Sequence, residues 1–352
     1  MNEIKLSIIL PVYNGGKTLN RTLDSIKKQK CSFNYEVIII NDNSEDDSLD
    51  IIKSYLTEMP IHLLNVNLDV HCAGNSRNLG LDCALGEWIT FIDQDDEFED
   101  NAFQTVMDII ESNHLKYICC TLLYEYNENT GEIVEHNDLK DNIDVWLHGK
   151  YYHKDNLLRK YNLRFKQDLK YLEDLYFNSR VIEVLFKLRI IYKPTLTYYL
   201  TKTYKWYEHD SSTHSKLVEG GYVFNHWGLA NHYFDCVIPP LIEMIKYSEN
   251  IESEEAIIRM AFADLAYVYV NYNVIYNYYD GDTNILSLTL DSVCRNLPEM
   301  FKYMKITNVF DLVNPTISTT LEQAGYKPEE YDSVLLISFA EWWGIVLTSC
   351  SY

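Results

Sequence analysis

The chain has 352 residues, 47% of them hydrophobic and 14% aromatic, with 29 tyrosines; this supports more than one packed core and excludes a disordered chain. Lys and Arg number 30 against 52 Asp and Glu, a net charge of −22, which excludes nucleic acid as the main partner because phosphate backbones are held by an excess of Lys and Arg. An anionic ligand then needs a local device: an arginine, a helix N-terminus or a divalent cation.

In chain order, Leu6–Leu10 is a short apolar run, Pro11-Val12-Tyr13-Asn14-Gly15-Gly16 turns the chain, and Leu19, Leu23 and Ile26 recur at helical spacing. Val37–Ile40 predicts a second buried strand ending in Asn41-Asp42-Asn43-Ser44, followed by a helix with Leu49, Ile52 and Leu56 on one face. Ile61–Leu64 predicts a third strand, and "HCAGNSRNLGLDCALG" a loop leading into a helix stopped by Gly86. Trp88–Ile92 predicts a fourth strand, 101–112 a helix and Tyr117–Tyr124 a further strand. This alternation predicts an α/β fold with a mostly parallel sheet.

Residues 145–210 read as mixed, with a helix starting near Glu173, a strand over "IIYKPTLTYYL" and a polar, aromatic loop over "TKTYKWYEHDSSTHSK". From about 225 glycine becomes rare and helices are expected over 240–249, 254–279 and 329–350. The expected domains are therefore 1–225 and a smaller, mostly α-helical 226–352, which positions an acceptor or forms a homo-oligomer. Eight cysteines without a Cys-x-x-Cys pair predict a reduced, cytoplasmic chain. The N-terminus turns polar too soon for a signal peptide. The apolar stretch "VLLISFAEWWGIVL" is shorter than a membrane span and contains Glu341, so a buried terminal helix is expected.

Ligands of open α/β sheets sit beyond the carboxyl ends of the strands. Three such ends are polar here: Tyr13-Asn14, Asp42 and Asp93–Asp96. One acidic strand end would be a helix cap; three together predict a pocket. Carboxylates two apart after a buried strand can hold a hard divalent cation, with substrate phosphates completing its shell. A calcium loop is excluded, because "DQDDEFEDNAFQ" has Phe98 where the turn needs Gly and no Glu at its twelfth position. His148 and His153 have no carboxylate or Cys at ligand spacing, which argues against a metal role.

Four segments in order, "SIILPVYNGGKTLNRTLDSIKKQ", "YEVIIINDNSEDDSLDIIKSY", "AGNSRNLGLDCALGEWITFIDQDD" and "FKQDLKYLEDLYFNSRVI", resemble the family 2 glycosyltransferases of GT-A fold over roughly 1–215. The resemblance implies that Pro11, Tyr13 and Asp42 hold the nucleotide base, with Arg77 beside the nucleotide and Asn75 and Asn78 shaping its loop. It implies that Asp93 contacts the ribose side and that Asp95, helped by Asp96, holds Mn²⁺ or Mg²⁺. Gln94 stands where the family often has a small residue, so a narrower donor pocket is expected. Asp174 is implied as catalytic base with Glu173 as its helper. His214, with Ser211 and Ser212, is implied in a loop closing over the diphosphate, and His148 and His153 near the acceptor cleft. The implied reaction is an inverting transfer of a hexose or N-acetylhexosamine from a UDP-sugar to a hydroxyl of a surface polysaccharide, a teichoic-acid-like polyol phosphate or a glycoprotein glycan, at the inner face of the membrane. Two other readings are a non-catalytic scaffold of the same fold, disfavoured because the carboxylates are all present, and a nucleotidyltransferase, disfavoured because "PVYNGGKTL" has glycines but only Lys17 as a basic residue.

Overall fold

The computed structural model describes residues 3–135, 146–167, 169, 173–193, 196–208, 237–248, 251–278, 291–304, 313, 317–318, 321, 327–330, 335 and 337–349. The chain forms two compact units: Met1–Val181 with Leu196–Ser212, and Ile182–Thr195 with Thr213–Tyr352.

In the first unit, strands β1 (Ile4–Val12), β2 (Asn34–Asp42), β3 (Ile61–Val66) and β4 (Trp88–Phe91) pair in parallel in the order β3-β2-β1-β4. Helices α1 (Leu19–Lys27), α2 (Ser48–Tyr55) and α3 (Ala73–Cys83) make the crossovers. Strand β2 is buried from Val37 to Asp42 without alternation, as a strand covered on both faces must be. Helix α3 packs so closely that a Cβ on Gly80 would lie 2.5 Å from Ile9 Cγ2, a separation only glycine permits.

Beyond β4 the sheet is mixed, so the parallel expectation describes only its first half. Strand β8 (Lys150–His153) runs antiparallel to β4 and to β6 (Ile118–Asn127). Strand β9 (Tyr199–Glu208) runs parallel to β6 and antiparallel to the two-residue β5 (Glu97–Phe98), and β7 (Ile133–Glu135) folds back on β6. Helix α4 (Ala102–Ser112) packs on this half, with Phe103, Val106 and Met107 buried. The expected loop 201–208 is thus strand. Its Tyr and Lys content reads as polar, yet the rings of Tyr204 and Tyr207 are buried and their hydroxyls donate to Asp96 and Glu97. Two smaller expectations also change. Leu56 is exposed, and Tyr55 takes its place in the core with its hydroxyl on Asp24. Helix α3 ends at Cys83, and Gly86 instead lets the chain pass against the Ser7 backbone.

Helix α5 (Glu173–Lys187) starts where the sequence predicts. The second unit contains helical residues 237–246, α6 (Ile251–Tyr278), α7 (Asp291–Met304) and α8 (Phe339–Ser349). Helix α7 departs from expectation because Pro298 interrupts its pattern. The expected helix 329–350 is a 3₁₀ turn at Pro328–Glu330 and the shorter α8. Trp342 of α8 is fully buried, and Tyr269 of α6 donates to the Ile337 carbonyl at 2.7 Å. Cys31, Cys72, Cys83, Cys119 and Cys120 are in the thiol form, whereas Cys294 is disulfide-bonded, so the fully reduced expectation does not extend to it. Among the described residues no helix is long and apolar enough to cross a membrane.

Candidate active site

The order β2-β1-β4 sets the three polar strand ends side by side. Chain direction changes at once after β1 and β2 because Asn14 and Asn43 adopt left-handed φ angles of 51° and 53°, which Asn tolerates better than most residues. Pro11 pairs only with Ile40 of β2, past the last β1–β4 pair at Ile9–Phe91, so its missing N–H breaks no ladder on the β4 side. The following loops are tied together: Asn14 N donates to Ser44 Oγ at 3.0 Å, Gly15 N to Ser48 Oγ at 2.8 Å and Gly16 N to Asp46 Oδ2 at 2.8 Å. Burial opposes ionisation of Asp46, but the Ser48 hydroxyl and the amides of Gly16, Ser48 and Asp46 itself outweigh it and hold its carboxyl below the usual range.

Tyr13 is 46% exposed. Gln94 grips its peptide from the turn after β4: Tyr13 N donates to Gln94 Oε1 at 2.9 Å, and Gln94 Nε2 donates to the Tyr13 carbonyl at 3.1 Å. The Gln94 side chain therefore joins the β1 end to the acidic turn. Asp42 is buried, and both of its oxygens are engaged: Oδ1 by Leu68 N at 2.9 Å and Oδ2 by His71 Nδ1 at 2.8 Å. The His71 ring stacks on Tyr13 with centroids 5.0 Å apart and an interplanar angle of 14°. Asn75 donates to the Val70 carbonyl, and Asn78 exchanges two hydrogen bonds with the Phe165 backbone; both shape loops.

Arg77 projects from α3 into the middle of the acidic groups. Its Nη2 lies 2.5 Å from Asp93 Oδ1 and its Nη1 2.6 Å from Glu173 Oε1, with the arginine side chain 4% exposed. The guanidinium lies over Phe165, which stacks on Phe177 at 4.3 Å. Burial works against the Asp93 anion, but Arg77 and His148 outweigh it and hold this carboxyl well below the ordinary range. Glu173 is pushed up to about 7, by burial first and by Asp174 beside it, with Arg77 opposing. Burial also raises Asp174, whose Oδ1 accepts from Leu175 N at 2.7 Å.

Asp96 is fully buried, accepting from Tyr204 Oη at 2.7 Å and Tyr207 N at 2.9 Å; burial, then Asp95 and Asp93, raise its pKa. The Asp95 carbonyl accepts from Arg21 Nη2 at 2.5 Å, and Arg21 lies 3.5 Å over the Tyr207 ring while pairing with Glu128. His148 reaches this turn from the loop before β8. Its Nε2 is 3.5 Å from Asp93 Oδ2 and 3.6 Å from Asp96 Oδ2, and its Nδ1 is buried without a partner. Gly149, with φ +67° and no room for a Cβ beside the Thr121 carbonyl at 2.7 Å, permits this approach.

Asp93, Asp96 and His148 offer ligand atoms all within 4.8 Å of one another. Two carboxylates and an imidazole suit Mn²⁺ or Mg²⁺ supplemented by phosphate oxygens. The group differs from the expected Asp95–Asp96 pair. It includes His148, whose own segment offers no ligand partner but which meets two carboxylates of the β4 turn. His153, expected near the acceptor cleft, caps the wide turn Lys154–Arg159 by accepting from Asn156 N at 3.2 Å, and its ring packs on Trp88. Ser211, Ser212 and His214 lie outside the described residues. Sequence reasoning does not single out His71 and Arg21; neither stands in a pattern that marks it, and only the fold brings them to the site.

Residues 7–169 match the family described as glycosyl transferase family 2. Over 132 residues the chain is 33% identical to the uncharacterized glycosyltransferase YibD of Escherichia coli, covering 36% of each protein. Over 112 residues it is 29% identical to the poly(ribitol-phosphate) beta-N-acetylglucosaminyltransferase TarS of Staphylococcus aureus, covering 32% of this chain and 20% of TarS. The chain thus spans well under two thirds of the length of these relatives. The crystal structure of S. aureus TarS 1-349 in complex with UDP-GlcNAc superposes with a TM-score of 0.60 at 17% identity, covering 92% of this chain and 93% of that one; the fold is shared.

Proposed function

Because the chain carries a family 2 glycosyltransferase domain over residues 7–169, we propose that it is an inverting, divalent-metal-dependent glycosyltransferase. It moves a hexose or N-acetylhexosamine from a UDP-sugar to a hydroxyl of a polyol phosphate or related surface polysaccharide. The observation that carries this reading is Arg77, which draws the acidic turn after β4 and the acidic start of α5 to one point. Support for the donor and acceptor classes comes from TarS, whose name gives poly(ribitol phosphate) and whose structure holds UDP-GlcNAc.

The nucleotide lies over the β1 and β2 ends, beside Tyr13 and Asp42, and the diphosphate lies at the turn Asp93–Asp96. A bound Mn²⁺ or Mg²⁺ would neutralise charge developing on the leaving diphosphate. Asp93, Asp96 and His148 would hold it, with Asp95 contributing from the same turn. Arg77 and the tyrosines keep these carboxylates oriented, which spares reorganisation during the reaction. Asp174 accepts the proton of the acceptor hydroxyl. The acceptor oxygen then bonds to the anomeric carbon as the bond from that carbon to the diphosphate oxygen breaks, and UDP departs with the electron pair. One in-line displacement inverts the anomeric centre. A raised pKa suits a carboxylate that must take up a proton near neutral pH.

The test is UDP release from a panel of UDP-hexoses and UDP-N-acetylhexosamines, with Mn²⁺, Mg²⁺ or EDTA, using polyol-phosphate polymer as acceptor. Metal-dependent release that Asp174→Asn abolishes is the expected result. Failure of every uridine nucleotide to bind with either metal would refute the proposal.

A further inference from the structure

Each oxygen of Asp42 already accepts one hydrogen bond, from the Leu68 amide and from His71 Nδ1, and burial closes the rest of the carboxylate off from solvent. The Asp42 side chain is 3% exposed, while the His71 side chain in front of it is 38% exposed. A carboxylate only accepts hydrogen bonds, so Nδ1 carries the hydrogen, and the neutral tautomer this selects keeps a lone pair on Nε2. The stack on Tyr13, 14° from parallel, fixes the ring plane, and Gln94 fixes Tyr13 through two bonds to its peptide. Three strand ends thus hold one imidazole in place at the mouth of the β1–β2–β3 loops.

We propose that His71, rather than Asp42, meets the Watson–Crick edge of the donor's nucleobase, with Asp42 acting as a positioning residue behind it. This rests on the UDP-sugar reading above. The Nε2 lone pair accepts the uracil N3–H, a donor that cytosine lacks at the same position. The Asp42–His71 pair relays acceptor character from a buried carboxylate to the surface, as a carboxylate behind a metal-ligating histidine does. The geometry also defines the rival arrangement, in which His71 only covers Asp42 and swings aside when the base arrives. The two arrangements differ in the sign of one measurement.

The experiment is calorimetric titration of UDP, CDP and pyrophosphate, each with Mn²⁺, into the full-length protein and its His71→Ala, His71→Gln and His71→Asn variants, with thermal melting to verify folding. Wild type binding UDP in preference to CDP is the baseline. If His71 reads the base, His71→Ala weakens UDP about tenfold, the value of roughly one hydrogen bond, shrinks the UDP-to-CDP preference and leaves pyrophosphate affinity unchanged. His71→Gln, whose amide reaches the place of Nε2, recovers part of the loss, and His71→Asn, which reaches only the place of Nδ1, does not. UDP binding to His71→Ala that is unchanged or tighter overturns the assignment, as does an equal loss for UDP and pyrophosphate. If wild type itself binds no uridine nucleotide, the UDP-sugar reading fails first, and that result is distinct from either.

Discussion

Replacing Arg77 by Met removes a buried cation while keeping most of the side chain's volume. Two carboxylates lose a charge-assisted hydrogen bond, at 2.5 Å for Asp93 and 2.6 Å for Glu173. Such bonds contribute about 1.5–3 kcal/mol each. Glu173 is 15% exposed and merits the full value, whereas Asp93 is 34% exposed, so solvent screens it and the low end applies. The expected destabilisation is about 3–5 kcal/mol, the range for stripping one partner from a buried pair. Over a unit of roughly 200 residues this lowers Tm by about 6–20 °C. The assay is thermal unfolding at pH 8 of wild type, Arg77→Met, Glu173→Gln and the double variant. If unpaired carboxylate charge is the cause, Glu173→Gln should stabilise the Arg77→Met protein far more than it stabilises wild type. A loss below about 1 kcal/mol, or equal effects of Glu173→Gln in both backgrounds, would refute the electrostatic account of the cluster.

Asp174→Asn should lower turnover by about 10²–10⁴-fold while leaving UDP-sugar binding intact; because the folded protein raises this carboxyl and the base must be ionised, the wild-type rate should rise with pH through a value above the ordinary aspartate range, as read from kcat/KM profiles. Glu173, raised from 4.5 to about 7, stabilises the fold fully below pH 4.5 and loses that contribution as pH rises through 7, by about 3 kcal/mol; urea denaturation at pH 5 and pH 8 should show the loss in wild type and a flatter profile in Glu173→Gln. Chelation with EDTA should weaken UDP about 100-fold in calorimetry, the equivalent of about 3 kcal/mol of diphosphate binding through the cation. Gly149→Ala, which places a Cβ 2.7 Å from the Thr121 carbonyl at a left-handed φ, should cost about 1–3 kcal/mol in thermal unfolding; it should also weaken metal-dependent UDP binding by displacing His148.

Local chemistry alone makes much of this protein legible. Short apolar runs bounded by Pro, Asn, Asp or Gly fit buried strands that stop and turn, so β1, β2 and β4 and their polar ends are readable, as is the start of α5 at Glu173-Asp174. Strand β9 is not, because Tyr204 and Tyr207 become core residues only once Asp96 and Glu97 accept their hydroxyls. Helix α7 escapes a sequence reading because Pro298 breaks a local rule that its packing overrides. Residue types at the site are likewise visible, but their partners are not. Arg77 meets Glu173 from 96 positions away, His71 meets Asp42 from 29, and His148 is carried to Asp93 by the antiparallel pairing of β8 on β4. Sequence determines which groups can carry charge and where the chain must turn; only the tertiary structure decides which of those groups neutralise one another and which still face a ligand. The physical reason is burial: a carboxylate enclosed behind the histidine it holds, as Asp42 is behind His71, presents its neighbour to the solvent instead of itself.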